Sequence, residues 1–361
     1  MSLLALVAAT GCDRPSVRGK RVGEWVIALH ASDPRTRLTA AHVLADARGA
    51  GRLAIKPLVT ALGDPADAVR EQAAYALGAI GRDATRFLAP RLDDPKLTPG
   101  EARWVARALA AIARTDPAAR ERLLAASRAS TPAVRVAAVR ALGHTRDPAV
   151  AERLIELLDG EDALLRRDAA LALAHMGVAG RAAIAVLVQH LRVDDRELVT
   201  ACLTALGAVG RSVEVAAPEA AAVRNGLAAA FPSADPLVRV AAARAAADLG
   251  PLALDSLPSL GELLADSNPV VRESAVHALA ALAPAVDDSN VSSLVHTAST
   301  AGPEAPRVGA IHALGALGAR AHAATDALTA LSKDRDGDVR RAASEALGKV
   351  VTATTRAARA G

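Results

Sequence analysis

A phrase close to Asp-x-x-Val-Arg-x-x-Ala-x-x-Ala-Leu-Gly returns about every 33 residues along the 361-residue chain, for instance at 67–78, 134–143 and 339–348. A fixed period of this size describes a one-dimensional stack, in which each short unit buries its apolar face only against its neighbours. Hydrophobic residues make up 52% of the chain and aromatic ones 1%, so the apolar content is alanine, leucine and valine. Alanine and leucine are strong helix formers, and their small bulk suits helices that approach closely. No sustained period-two alternation bounded by turn residues marks a strand. The expected fold is all-α: an α-α superhelical solenoid of about ten helix pairs.

The arginine of the Val-Arg pair serves as a marker. It stands at Arg37, Arg70, Arg135, Arg166, Arg239, Arg272, Arg307 and Arg340, with Ala102 and Val199 in its place in two further repeats. Successive spacings are 33, 32, 33, 31, 33, 40, 33, 35 and 33. Small or apolar residues follow the marker at Ala73, Ala76, Leu77 and Ile80, which share one helical face. Gly81, Gly177, Gly210 and Gly250 read as C-caps of these second helices. Asp33-Pro34, Asp64-Pro65, Asp94-Pro95 and Asp235-Pro236 read as the turns between first and second helices, the aspartate capping and the proline in the first turn. Trp25, in the opening first helix, is expected to seal the open end of the stack. The 40-residue interval holds an insertion near 210–218, expected as a lengthened loop.

These residues resemble HEAT repeats, and especially the bacterial HEAT-like type first described in phycobilin lyases, over roughly 20–351. The resemblance implies that the second helices line a concave face. It also implies a ladder in which marker arginines pair with loop aspartates, here Asp67, Asp162, Asp235, Asp266 and Asp338. The eight marker arginines are then structural.

Steps of four residues stay on one side of a helix, so positions one, five and nine after the marker form the stripe available to a partner. In the middle repeats this stripe carries Arg103, Arg107, Arg140, His144, Arg167 and His175, with Trp104 beside it. These six are the candidate binding patch, suited to an acidic protein segment or a phosphate-bearing surface. The expected partner is another protein, and no cofactor is implied. Net charge is a mild +4, with charges interspersed rather than blocked. A nucleic-acid surface would add aromatic platforms to its basic stripe, and two Phe, two Trp and one Tyr supply few.

Motifs for catalysis are missing. None of the nine histidines is followed by Glu, so the His-Glu pairs that hold iron in the HEAT-like deoxyhypusine hydroxylases cannot be built. No H-E-x-x-H, P-loop, G-x-G-x-x-G or G-x-S-x-G occurs. Cys202 takes a place the repeat gives to alanine and reads as a buried small hydrophobe. His277 and His312 fall in one column of adjacent repeats, close enough to approach one another. The expected role is a non-catalytic scaffold; the alternatives are a phycobilin-lyase-like enzyme or enzyme-assembly factor, or a weak nucleic-acid binder through the central basic patch.

The front end suggests export. A short apolar run ends Ala9-Thr10-Gly11-Cys12 and resembles a bacterial lipobox, although Ala stands at position 9 where leucine is usual and no basic residue precedes it. The expected organisation is a lipoprotein signal segment at 1–12 with Cys12 lipidated, a tether at 13–19, the solenoid at 20–351 and a frayed tail at 352–361. Such a protein is anchored by lipid alone, outside the cytoplasmic membrane of a bacterial envelope; without the signal it is cytoplasmic. The first run is far short of the ~20 residues that span a bilayer, and no other segment qualifies on the sequence reading.

Overall fold

The computed structural model describes residues 16–211, 213–300 and 304–360. Its contacts divide the chain into two compact units, Met1–Val150 and Ala151–Gly361. Cys12 and the signal segment lie outside the described residues.

Unit 1 opens with a two-stranded antiparallel hairpin, β1 (Ser16–Val17) and β2 (Lys20–Arg21). Four helix pairs follow: α1 (Val22–Ala28) with α2 (Pro34–Asp46), α3 (Ile55–Ala61) with α4 (Asp67–Ile80), α5 (Thr85–Leu88) with α6 (Pro99–Ala113), and α7 (Pro117–Ala126) with α8 (Pro132–Gly143). Unit 2 holds six: α9 (Ala151–Leu158) with α10 (Ala163–Met176), α11 (Ile184–Gln189) with α12 (Arg196–Gly210), α13 (Ala220–Ala230) with α14 (Pro236–Leu249), α15 (Leu257–Leu263) with α16 (Pro269–Leu282), α17 (Asp288–Ser299) with α18 (Glu304–Leu317), and α19 (Thr325–Leu331) with α20 (Gly337–Ala360). Each unit is therefore a run of the expected helix pairs, and the fold is an all-α solenoid.

The marker position is the fourth residue of every even-numbered helix, Ala102 and Val199 included. Seven residues later, Leu44, Leu77, Leu109, Leu142, Leu173, Leu206 and Leu314 are all 0% exposed. Full burial of one leucine stabilises by about 2 kcal/mol, so this column is the main apolar spine of each unit. The second helices begin where local chemistry satisfies their free N–H groups. Asp33 accepts from Arg35 and Thr36 of α2, Asp235 accepts from Leu237 of α14, and Thr98 and Glu101 form a capping box on α6. At Asp64 and Asp94 the expected cap does not form. Their prolines lie outside the helices, which start at Asp67 and Pro99, and each aspartate closes a local turn on Ala66 or Lys96 instead. Gly81, Gly177 and Gly250 end their helices at positive φ, as C-caps do. Gly210 instead ends α12 within the packing, where a Cβ would strike the Leu249 side chain.

Marker arginines act in two directions. One Nη donates back to the carbonyls six and five residues earlier, as Arg239 does to Ser233 (2.7 Å) and Ala234 (3.1 Å), tying down the turn before its helix. In three repeats the rest of the guanidinium reaches an acid 27 residues forward, whereas Asp162, at the same spacing from Arg135, caps α10 instead. Arg37 forks onto Asp64 at 2.7 and 2.9 Å, Arg239 onto Asp266 at 2.7 and 3.0 Å, and Arg307 reaches Asp334 at 2.6 Å. Arg37 and Arg239 hold the Asp64 and Asp266 carboxyls below the usual carboxylate range, and the backbone N–H of Asp336 and then Arg307 do the same for Asp334. The ladder acids are thus Asp64, Asp266 and Asp334. Of the expected set only Asp266 takes that place: Asp67 and Asp338 pair within their own helices with Arg70 and Arg341, and Asp162 and Asp235 are N-caps. Where the forward position is Leu97 or Val193, the Nε of Arg70 and of Arg166 is buried without a partner.

The ends differ from the sequence expectation. Residues 16–19, read as tether, belong to the hairpin: Trp25 Nε1 donates to the Val17 carbonyl (3.0 Å), and Arg18 pairs with Asp46 (2.9 Å). Trp25 closes the end of unit 1 by holding this hairpin down. The tail is helical to Ala360, carried by good helix formers, but its side chains from Thr355 to Arg359 are exposed. The stretch Ala163–Arg192 is long and apolar enough to cross a membrane by length and composition. Its charges are Arg166, Arg167, Asp168, Arg181 and Arg192, and the stretch from Ala169 to Val186 holds only Arg181. It folds as α10, a 3-10 turn and α11, broken at Gly177 with φ 55°.

Candidate functional site

The stripe expected to face a partner does face outward in unit 1. Glu71, Tyr75 and Ala79 on α4, Arg103, Arg107 and Ala111 on α6, and Arg140 on α8 are exposed. Between them lies a recess of about 340 Å³, lined by Glu71, Tyr75, Trp104, Arg107, Arg114, His144 and Arg146 among others.

Trp104 forms its floor. It is only 7% exposed, and its Nε1 donates to Asp67 Oδ1 at 3.2 Å. The Arg70 hydrogen bond first, and then that of Trp104, hold the Asp67 carboxyl below its usual range. Arg103 lies with its guanidinium 4.9 Å from the Trp104 ring, a cation–π arrangement. The rim is basic. Arg107 comes from α6, Arg114 is the C-cap of α6, and Arg146 follows α8; all three are exposed. Among the described residues none of the three makes an ion pair, and Glu71 is the one lining carboxylate, so the rim carries an excess of two positive charges.

Arg146 has φ +53°, which is sparsely populated for a side-chain-bearing residue. Its neighbours impose it. Thr145 is 3% exposed and its hydroxyl donates to the Leu142 carbonyl (2.7 Å), while Asp147 is held by Arg120 at 2.6 Å. Arg120 holds the Asp147 carboxyl below its usual range. The turn is clamped on both sides and presents Arg146 to the recess.

The six expected patch residues are divided between the units. Arg103, Arg107, Arg140 and His144 belong to unit 1, and the recess collects Arg107 and His144. Arg167 and His175 belong to unit 2. There Arg167 pairs with Glu197 (2.6 Å), and His175 Nδ1 lies 2.8 Å from the Leu171 carbonyl of its own helix. The Arg167 charge is thus met by Glu197, and one His175 nitrogen is turned back onto its own helix. Sequence reasoning missed Arg114 and Arg146. Continuing the stripe by three residues from Ala111 reaches Arg114; Arg146 sits in a turn to which no helical period points.

Elsewhere, His277 shares a recess with Arg244, Asp248 and Glu273, separate from the one that His312 lines. Cys202 is 0% exposed, and burial pushes its thiol up to about 12, so it packs as the small hydrophobe expected.

A family profile for HEAT repeats matches the chain at residues 24–110, 98–174, 119–207 and 224–300. No curated protein matches it significantly.

Proposed function

This chain belongs to the HEAT-repeat family, and on that basis we propose that it is a non-catalytic scaffold whose unit 1 recess binds an acidic segment of a partner protein. The observation that carries the reading is the unbalanced rim: Arg107, Arg114 and Arg146 surround a recess floored by Trp104, with Tyr75 64% exposed at its edge. Guanidinium groups bind carboxylates with two parallel hydrogen bonds, and exposed tyrosine adds contact area at small entropic cost. α6 carries Arg107 within its length and Arg114 at its C-cap, and the clamped turn after α8 carries Arg146, so little ordering of the backbone is needed on binding.

The test is a fluorescence anisotropy titration of the full chain with a labelled Asp/Glu decapeptide, beside a labelled DNA duplex of equal charge. The peptide is expected to bind, to weaken with salt, and to lose about ten-fold in affinity in Arg107→Ala. Tighter binding of the duplex, or an Arg107→Ala variant with unchanged affinity, refutes the reading. The same proposal places the scaffold on a bacterial membrane surface through lipidated Cys12. Labelled palmitate incorporation, expected in the natural chain and lost in Cys12→Ala, tests that part separately.

A further inference from the structure

Unit 2 leaves its own frame at one place. α10, α12 and α14 each pack on the next second helix, whereas α16 barely meets α18, which packs instead on α15, the first helix of the preceding pair, and on α20. Two glycines permit this. A Cβ on Gly261 would overlap the Gly309 carbonyl, and one on Gly309 would stand 2.6 Å from the Pro258 carbonyl oxygen, so the backbones of α15 and α18 are in direct contact. Beside this contact, between α15, α18 and α20, lies a recess of about 620 Å³.

The charged groups in the recess do not balance. On α20, Arg341 pairs with Asp338, and Glu345 holds Lys349 at 2.6 Å. On α15, Glu262 is half-buried and has no ion pair or hydrogen bond among the described residues, and burial raises its carboxyl above the usual range. On α18, burial lowers His312 below its usual value, opposed by a hydrogen bond to the Gly261 backbone and by Glu345. His312 is therefore held toward its neutral form and offsets none of the negative charge. Its Nδ1 is buried with no partner. The remaining walls are Ala265, Ala305, Val308 and Ala342, which suit an aliphatic stem.

We propose that this recess receives an arginine side chain from a partner protein, with the Glu262 carboxylate as its counter-ion. Three features select that group. A guanidinium has five donors and no acceptor, so it complements an unpaired carboxylate. It is more weakly hydrated than an ammonium and loses less on entering a half-buried site. The methylene stem finds apolar walls while the head reaches Glu262. Unpaired, Glu262 bears a desolvation cost in the free protein, and an entering cation relieves it. This site is independent of the acidic-segment reading of unit 1, since it uses another unit and the opposite charge.

The experiment titrates the full chain with N-acetylarginine N-methylamide and, separately, with its uncharged citrulline counterpart, following the His312 ring by NMR. The arginine compound is expected to shift the His312 signals saturably and to bind about ten-fold more tightly than citrulline. Glu262→Gln is expected to erase that preference, and Glu152→Gln on the exposed side of α9 to keep it. Thermal melting shows that Glu262→Gln is folded; removing an unpaired half-buried charge should not lower its melting temperature. Equal binding of the two compounds, a preference that survives Glu262→Gln, or no shift of the His312 ring would each overturn the proposal.

Discussion

The recess of unit 1 and the recess of unit 2 are cut from one repeat pattern and carry opposite charge. In unit 1 the second helices stack on one another, and the groups left over are Arg107, Arg114 and Arg146. In unit 2 a glycine contact moves α18 onto α15, and the group left over is Glu262. The frame residues are the same in both: a buried leucine seven places after the marker, and an arginine tying down the preceding turn. A repeat fixes the positions that stack and leaves the outward ones free, so chemistry varies between units while the fold does not.

Several substitutions separate the shared frame from the local exception. The largest loss is expected from emptying the spine. Leu77→Ala in unit 1 and Leu279→Ala in unit 2 should each cost about 3–4 kcal/mol, measured by urea unfolding with both units monitored. A marked inequality would mean that the two units do not share one frame. Gly261→Ala follows, costing about 2–3 kcal/mol through overpacking and confined to unit 2. An ordinary helical glycine would instead gain about 1 kcal/mol from the same change, so the sign alone decides whether the α15–α18 backbone contact exists. Asp64→Ala, which strips Arg37 of its fork, should cost about 2 kcal/mol.

Acid should act on the same rungs. Asp64, Asp266 and Asp334 have depressed pKa values, so their stabilisation is present above the unfolded value of about 3.9 and is lost as pH falls through the lower folded values. His312 adds a milder dependence in unit 2. Its folded pKa is lowered, so its contribution is present above about 6.5 and declines as pH drops toward the folded value. A urea midpoint flat between pH 7 and 5 in His312→Gln, but sloping in the natural chain, would isolate it. The smallest effect is a gain: Gly348→Ala on α20, with open space where the Cβ goes, should stabilise by about 0.5–1 kcal/mol.

The sequence made the frame legible because period, leucine column and marker are local and recur along the chain. It revealed less of the ladder, since a rung depends on what stands 27 residues ahead, and Asp64 reads locally as a cap. It could not reveal the α18 displacement, because Gly261 and Gly309 lie in different helices and matter only in contact. The patch was half legible: Arg107 and His144 follow the helical stripe, whereas Arg146 owes its direction to a clamped turn and Arg167 is consumed by Glu197. Trp104, at the edge of that stripe, packs inward as the floor.

The separation of frame from face is tested most directly by one anisotropy titration of the acidic decapeptide on two variants, Arg107→Ala/Arg146→Ala and Asp64→Ala, with melting temperatures recorded on the same samples. Peptide affinity is expected to collapse in the first variant with its melting temperature unchanged, and to persist in the second with its melting temperature lowered. Loss of affinity in both, or a melting temperature that falls with the two arginines, would contradict it.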